Sequence, residues 1–122
     1  VVIGLISVVA VFFLGMGLYA LVAPASLIRP FGVTLSRPES RAEVRAVYGG
    51  FGLAVAGVLV YAALNPSVGP AILITVAVAL AGMAVGRLIS AVVDERTAFY
   101  PNWFYFLVEV VLAAALVLAV VL

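Results

Sequence analysis

Two side chains carry full charge inside stretches otherwise built for hydrocarbon, Arg87 and Glu109. An isolated ion in lipid is costly, so such residues turn toward the protein interior and pair. At a helical rise of 1.5 Å per residue, Arg87 lies about 10 Å back from Asp94, and Glu109 about 12 Å beyond Pro101. Their depths match, which predicts an ion pair. Glu43 and Arg45 compete for the same partners, and Tyr48 and Tyr105 are near enough in depth to add hydroxyl groups. One chemistry open to this set is recognition of a lipid-like or small amphipathic molecule, its polar head on the arginines and its tail in an apolar groove. A second is proton- or ion-coupled transport, with Glu109 titrating. The third is structural: the network only holds the helices in register, as in an accessory subunit of a membrane complex. Catalysis is not expected. The chain has no Cys and no His, and Ser90, one turn from Asp94, has no basic partner to activate it.

These groups need a scaffold, and the composition says which kind. Of 122 residues, 68% are apolar and 9% charged, whereas soluble domains carry about 25% charged residues. A water-soluble chain of this length has too much surface for its volume to hide so many apolar side chains. The expected fold is therefore all-α, a polytopic membrane protein with one four-helix up-down bundle. A formal charge of +1 gives no footprint for nucleic acid. No motif calls for a metal or cofactor.

Four stretches are long enough to cross about 30 Å of hydrocarbon. They are expected at about 1–22, 38–64, 71–93 and 102–122. The first is uncharged and lacks the basic leading region of a secretory signal. Pro24 to Pro38 connects it to the second, with Leu27, Ile28 and Phe31 suited to a membrane-surface turn. Two capping boxes in series, Ser36-x-x-Glu39 and Ser40-x-x-Glu43, offer starts for the second helix. Asn65-Pro-Ser-Val-Gly-Pro70 is a short uncharged turn. Trp103-Phe-Tyr-Phe106 opens the last helix with the aromatic band typical of headgroup depth.

All six basic residues are arginine, and they fall at the end that holds the first and third loops. Basic residues stay cytoplasmic, so both termini are expected outside the cytoplasm. Small residues add a packing signal. Ala42, Ala46, Gly50 and Ala54 recur at i+4 on the second helix, and Gly82, Gly86 and Ser90 on the third. Such strips let helices approach closely in lipid, within the chain or between copies, and a dimer or trimer is expected. Gly49 and Gly50 beside Tyr48 fit packing better than ligand binding.

The segment Arg41-Ala-Glu-Val-Arg-Ala-Val-Tyr-Gly-Gly-Phe-Gly52 resembles the signature of an uncharacterised family of small bacterial four-helix membrane proteins. Pro24 to Gly32, Ala81-Gly-Met-Ala-Val-Gly-Arg87 and Glu109 are also similar to it. The resemblance implies a bacterial inner-membrane protein in contact with membrane lipids. It marks Glu43, Arg45, Tyr48, Gly49, Gly50, Arg87 and Glu109 as the positions to follow, without supplying their role. A looser similarity to DoxX-like proteins bears on fold alone.

Overall fold

The computed structural model describes residues 1–122. Helix α1 spans Val2–Val22 and stops at Ala23, whose non-helical backbone lets Pro24 start the short helix α2, Pro24–Ile28. A 3-10 turn, Arg29–Phe31, follows and ends at Gly32 with φ +77°, a conformation that costs glycine little and other residues more. Helix α3 runs Pro38–Val44 and passes through a π-helical segment, Arg45–Gly50, into α4, Phe51–Leu64. Helix α5 is Gly69–Val93. A second π turn, Phe99–Trp103, leads into α6, Phe104–Val121.

Four apolar helical stretches are thus long enough to cross a membrane: Val2–Val22, Pro38–Leu64, Gly69–Val93 and Phe99–Val121. The third begins at Gly69 rather than at 71. The last opens as a turn with Tyr100 out of helical geometry, because Pro101 has no N–H to donate and restricts the residue before it. Neither capping box forms. The helix starts at Pro38 with extended Arg37 as its cap, and no side chain caps it. Glu39 instead pairs with Arg37 at 2.8 Å on the exposed surface.

The bundle is a ring in which α1 packs against α4 and α6, and α5 packs against the same two. One core runs through it, containing Val9 and Phe13 of α1, Leu59 of α4, Leu80 of α5 and Leu116 of α6. Only 23 of 122 residues are buried, so most apolar side chains face outward, where lipid is the medium that suits them. A second small cluster, Ala20, Ile28 and Val44, ties α2 and α3 to the end of α1.

The π segment decides which side of the second span faces inward. Phe51 N–H donates to Ala46 O, five residues back, adding a residue to that turn. Buried positions accordingly fall at Val44, Gly49, Gly52, Ala56 and Leu59, with a spacing of five across the segment. Ala42, Ala46, Gly50 and Ala54 are left exposed on the outer side. Gly82, Gly86 and Ser90 are exposed as well, and a Cβ at either glycine would meet nothing within 4 Å. Within the chain, both expected strips lie on the exposed surface rather than in the core. The close approach is made by Gly17 and Gly52. A Cβ on Gly52 would lie 3.0 Å from Phe13 O and 3.2 Å from Gly17 Cα, and one on Gly17 would lie 2.9 Å from Gly49 O. Of the glycines expected to pack, Gly49 does so: it is buried against Leu21.

Candidate functional site

The buried stripe of α5 reads Leu73, Ala77, Leu80, Ala84. Steps of four and three keep one face of a helix toward the core, and the next step reaches Arg87. On α6 the buried stripe is Glu109, Leu112, Leu116, Ala119. The two charges therefore stand at the last inward positions of neighbouring helices, on the side nearest the charged loops. They meet as a fork. Arg87 Nε donates to Glu109 Oε1 at 2.9 Å and Nη2 donates to Oε2 at 3.0 Å. This bidentate form is among the stronger ion-pair geometries. Nη1 donates to Asn102 Oδ1 at 3.2 Å. The Glu109 side chain is 5% exposed and that of Arg87 21%, so the carboxylate is shut away while the guanidinium keeps an open edge. The Phe31 and Tyr105 rings lie 5.7 and 5.8 Å from Arg87 Cζ, within cation–π range.

Beside this pair is a cavity of about 370 Å³. Phe12, Phe13 and Met16 of α1 wall one side, Leu80 and Met83 of α5 another, and Leu27, Ile28 and Phe31 close the end. Tyr19, Tyr48 and Tyr105 also line it. Val11 and Met83 belong to its wall and are themselves 65% and 46% exposed, so the space reaches the outer surface of the bundle. The arrangement is a mostly apolar recess with one ion pair and three phenols, the usual make-up of a small-molecule site.

Of the residues expected at the site, Arg87, Glu109 and Tyr48 line this cavity. Arg45 does not. It is exposed, and its Nε donates to Leu21 O at 3.0 Å, placing a cation at the carbonyl end of α1, where the helix dipole favours it. Glu43 is exposed and outside the cavity wall. Along this stretch Val44, Tyr48 and Gly49 turn inward, whereas Glu43 and Arg45 on either side of Val44 face out. Asn102 and Phe31 were not expected. Asn102 had a readable signal, since it lies two turns before Glu109 and one before Tyr105–Phe106, on the same helical face. Phe31 had none beyond its apolarity.

Residues 3–120 match the domain of unknown function DUF4345. The chain belongs to that family. Membership covers nearly all of the chain and agrees with four apolar helices in a small multi-pass membrane protein. The looser similarity to DoxX-like proteins is not shown. Neither curated proteins nor solved structures give a match.

Proposed function

We propose that this DUF4345 protein binds a lipid-like or small amphipathic molecule in the cavity beside Arg87 and Glu109, for retention or for transfer across the membrane. The observation that carries this reading is the recess itself. It is apolar along most of its wall, open at the bundle surface, and polar only where Arg87, Glu109 and the tyrosines meet. A tail would enter from lipid without crossing water, and a head would settle at the ion pair. The arginine-rich end, with the cavity near it, faces the cytoplasm by the rule that basic loops stay inside. Both termini then lie outside, and the membrane is the bacterial inner membrane.

Native mass spectrometry of gently extracted protein tests the reading. A retained amphiphile is expected on the native protein and not on folded Arg87→Ala. Equal occupancy in the two, or none in either, counts against it. The same spectra report stoichiometry, for which we propose a dimer or trimer that covers the exposed small-residue strips; monomers in several mild detergents would remove that proposal. Orientation is checked separately. Single cysteines between Pro66 and Gly69 should react with an impermeant thiol reagent in intact cells, and cysteines between Arg29 and Ser36 should not. The reverse labelling would invert the topology.

One observation favours a second reading, a structural or accessory role with no ligand. Every buried side-chain nitrogen and oxygen already has a hydrogen-bond partner, so the polar cluster is satisfied without a guest. Empty spectra from the native protein would support that role.

A further inference from the structure

The cavity has a charge balance that narrows what it can hold. Arg87 and Glu109 are the charged residues in its wall, one of each sign. Their bidentate contact leaves a polar end of zero net charge. A guanidinium has five N–H donors. Three go to Glu109 and Asn102, and two are left for a guest. An anionic head at those donors lies close to the Glu109 carboxylate, which is 5% exposed and therefore little screened by solvent. A cationic head would meet the same obstacle from Arg87. An uncharged head that accepts hydrogen bonds meets neither, and Tyr19, Tyr48 and Tyr105 can donate to it as well. At about 30 Å³ for each water-sized group, 370 Å³ holds roughly a dozen such groups. That is a head and part of one chain, with the remainder leaving past Val11 and Met83.

We infer that the cavity selects a single-chain amphiphile with an uncharged, hydrogen-bond-accepting head, and that Glu109 sets this selectivity by cancelling the charge of Arg87. The inference rests on the ligand-binding reading above and names the class of ligand. Glu109 is thereby a specificity-determining residue as well as a helix tie. Removing its charge while keeping its shape leaves Arg87 as a bare cation in the wall, so the preference should turn toward anions.

Four molecules with the same eighteen-carbon tail separate these cases: oleyl alcohol, oleamide, oleate and oleylamine. Each is offered at neutral pH to the purified full chain in phosphatidylcholine nanodiscs, whose two-chain zwitterionic lipid lies outside the proposed class, and occupancy is read by native mass spectrometry. The alcohol and the amide are expected to exceed oleate and oleylamine by about tenfold or more, since like charges brought together beside the mostly buried ion pair are strongly unfavourable. Glu109→Gln, with helix content checked by circular dichroism, is expected to raise oleate above the alcohol. A native protein that binds none of the four overturns the ligand-binding reading itself. One that binds oleate or oleylamine as well as the neutral pair keeps that reading and overturns this inference. A folded Glu109→Gln with unchanged ranking removes Glu109 as the cause. If Glu109→Gln does not fold, the double variant Arg87→Gln/Glu109→Gln takes its place: it restores neutrality and should keep the neutral preference, and a gain of oleate there would overturn the charge argument.

Discussion

The contact between α1 and α4 and the contact between α5 and α6 solve the same problem with opposite materials. Lipid gives two apolar helices little reason to associate, so contact must come from close packing or from polar bonds. On the first side Gly17, Gly49 and Gly52 bring backbones together, and a Cβ at Gly17 or Gly52 would stand 2.9 or 3.0 Å from a facing carbonyl. On the second side Gly82 and Gly86 of α5 face away, and Arg87 and Glu109 supply a charged fork instead. The difference is in what meets: main chain on the first side, a joined pair of long side chains on the second. The cavity lies beside that pair, with Phe12, Phe13 and Met16 of α1 in its wall.

Three sets of substitutions press on that contrast, in order of expected effect. Glu109→Ala should be the most damaging, because it leaves Arg87 with an uncompensated charge. Breaking a buried pair costs about 3–5 kcal/mol in soluble proteins, less where water or snorkelling relieves it. Arg87→Ala should also destabilise, since it leaves the Glu109 carboxylate without its partner, and the double variant should recover part of the loss. A thermal-unfolding cycle in one detergent measures this, and strictly additive losses would show that the pair is not coupled. Gly17→Ala and Gly52→Ala come next. Overpacking costs about 1–3 kcal/mol, and here the neighbouring atoms are backbone, which yields poorly. If both are neutral, the two sides do not differ as described. Gly82→Ala and Gly86→Ala should have the smallest effect on the monomer: no clash, and a gain of about 0.5–1 kcal/mol from the helix preference of alanine. A large loss there, together with loss of oligomer mass, would mean that a second copy makes on α5 the close contact that α1 and α4 make within the chain.

The candidate site is partly legible in the sequence. Arg87 and Glu109 are opposite charges at equal depth in apolar helices, and cost alone drives them to face inward. Tyr48 and Tyr105 can be placed in depth by the same arithmetic. Which of Glu43, Arg45 and Tyr48 faces the cavity cannot be, because rotation along the second span changes at a turn that carries one extra residue. The i+4 strip through Ala42, Ala46, Gly50 and Ala54 assumes an unbroken α-helix. At Arg45–Gly50 that assumption fails, and the buried line passes to Gly49 and Gly52. The capping boxes fail for a related reason. A serine three residues before a glutamate is a local pattern, whereas Pro38 at the first helical position sets where the helix starts.

Four spans, their order and the gathering of charge at one end follow from the sequence alone. Hydropathy adds residue by residue, and a run of about twenty apolar side chains has few other places to be. Charge position along a helix is likewise a matter of counting. Rotation about the helix axis is not. Whether Gly50 or Gly49 faces α1, whether Arg45 meets a ligand or the Leu21 carbonyl, and whether a cavity opens beside Arg87 and Glu109 all depend on how neighbours fit. Only the packed bundle decides them, because away from Arg87 and Glu109 the faces of these helices are apolar enough to lie outward. The choice rests on backbone clearance and a few polar bonds, and these are properties of pairs of helices rather than of any stretch of chain.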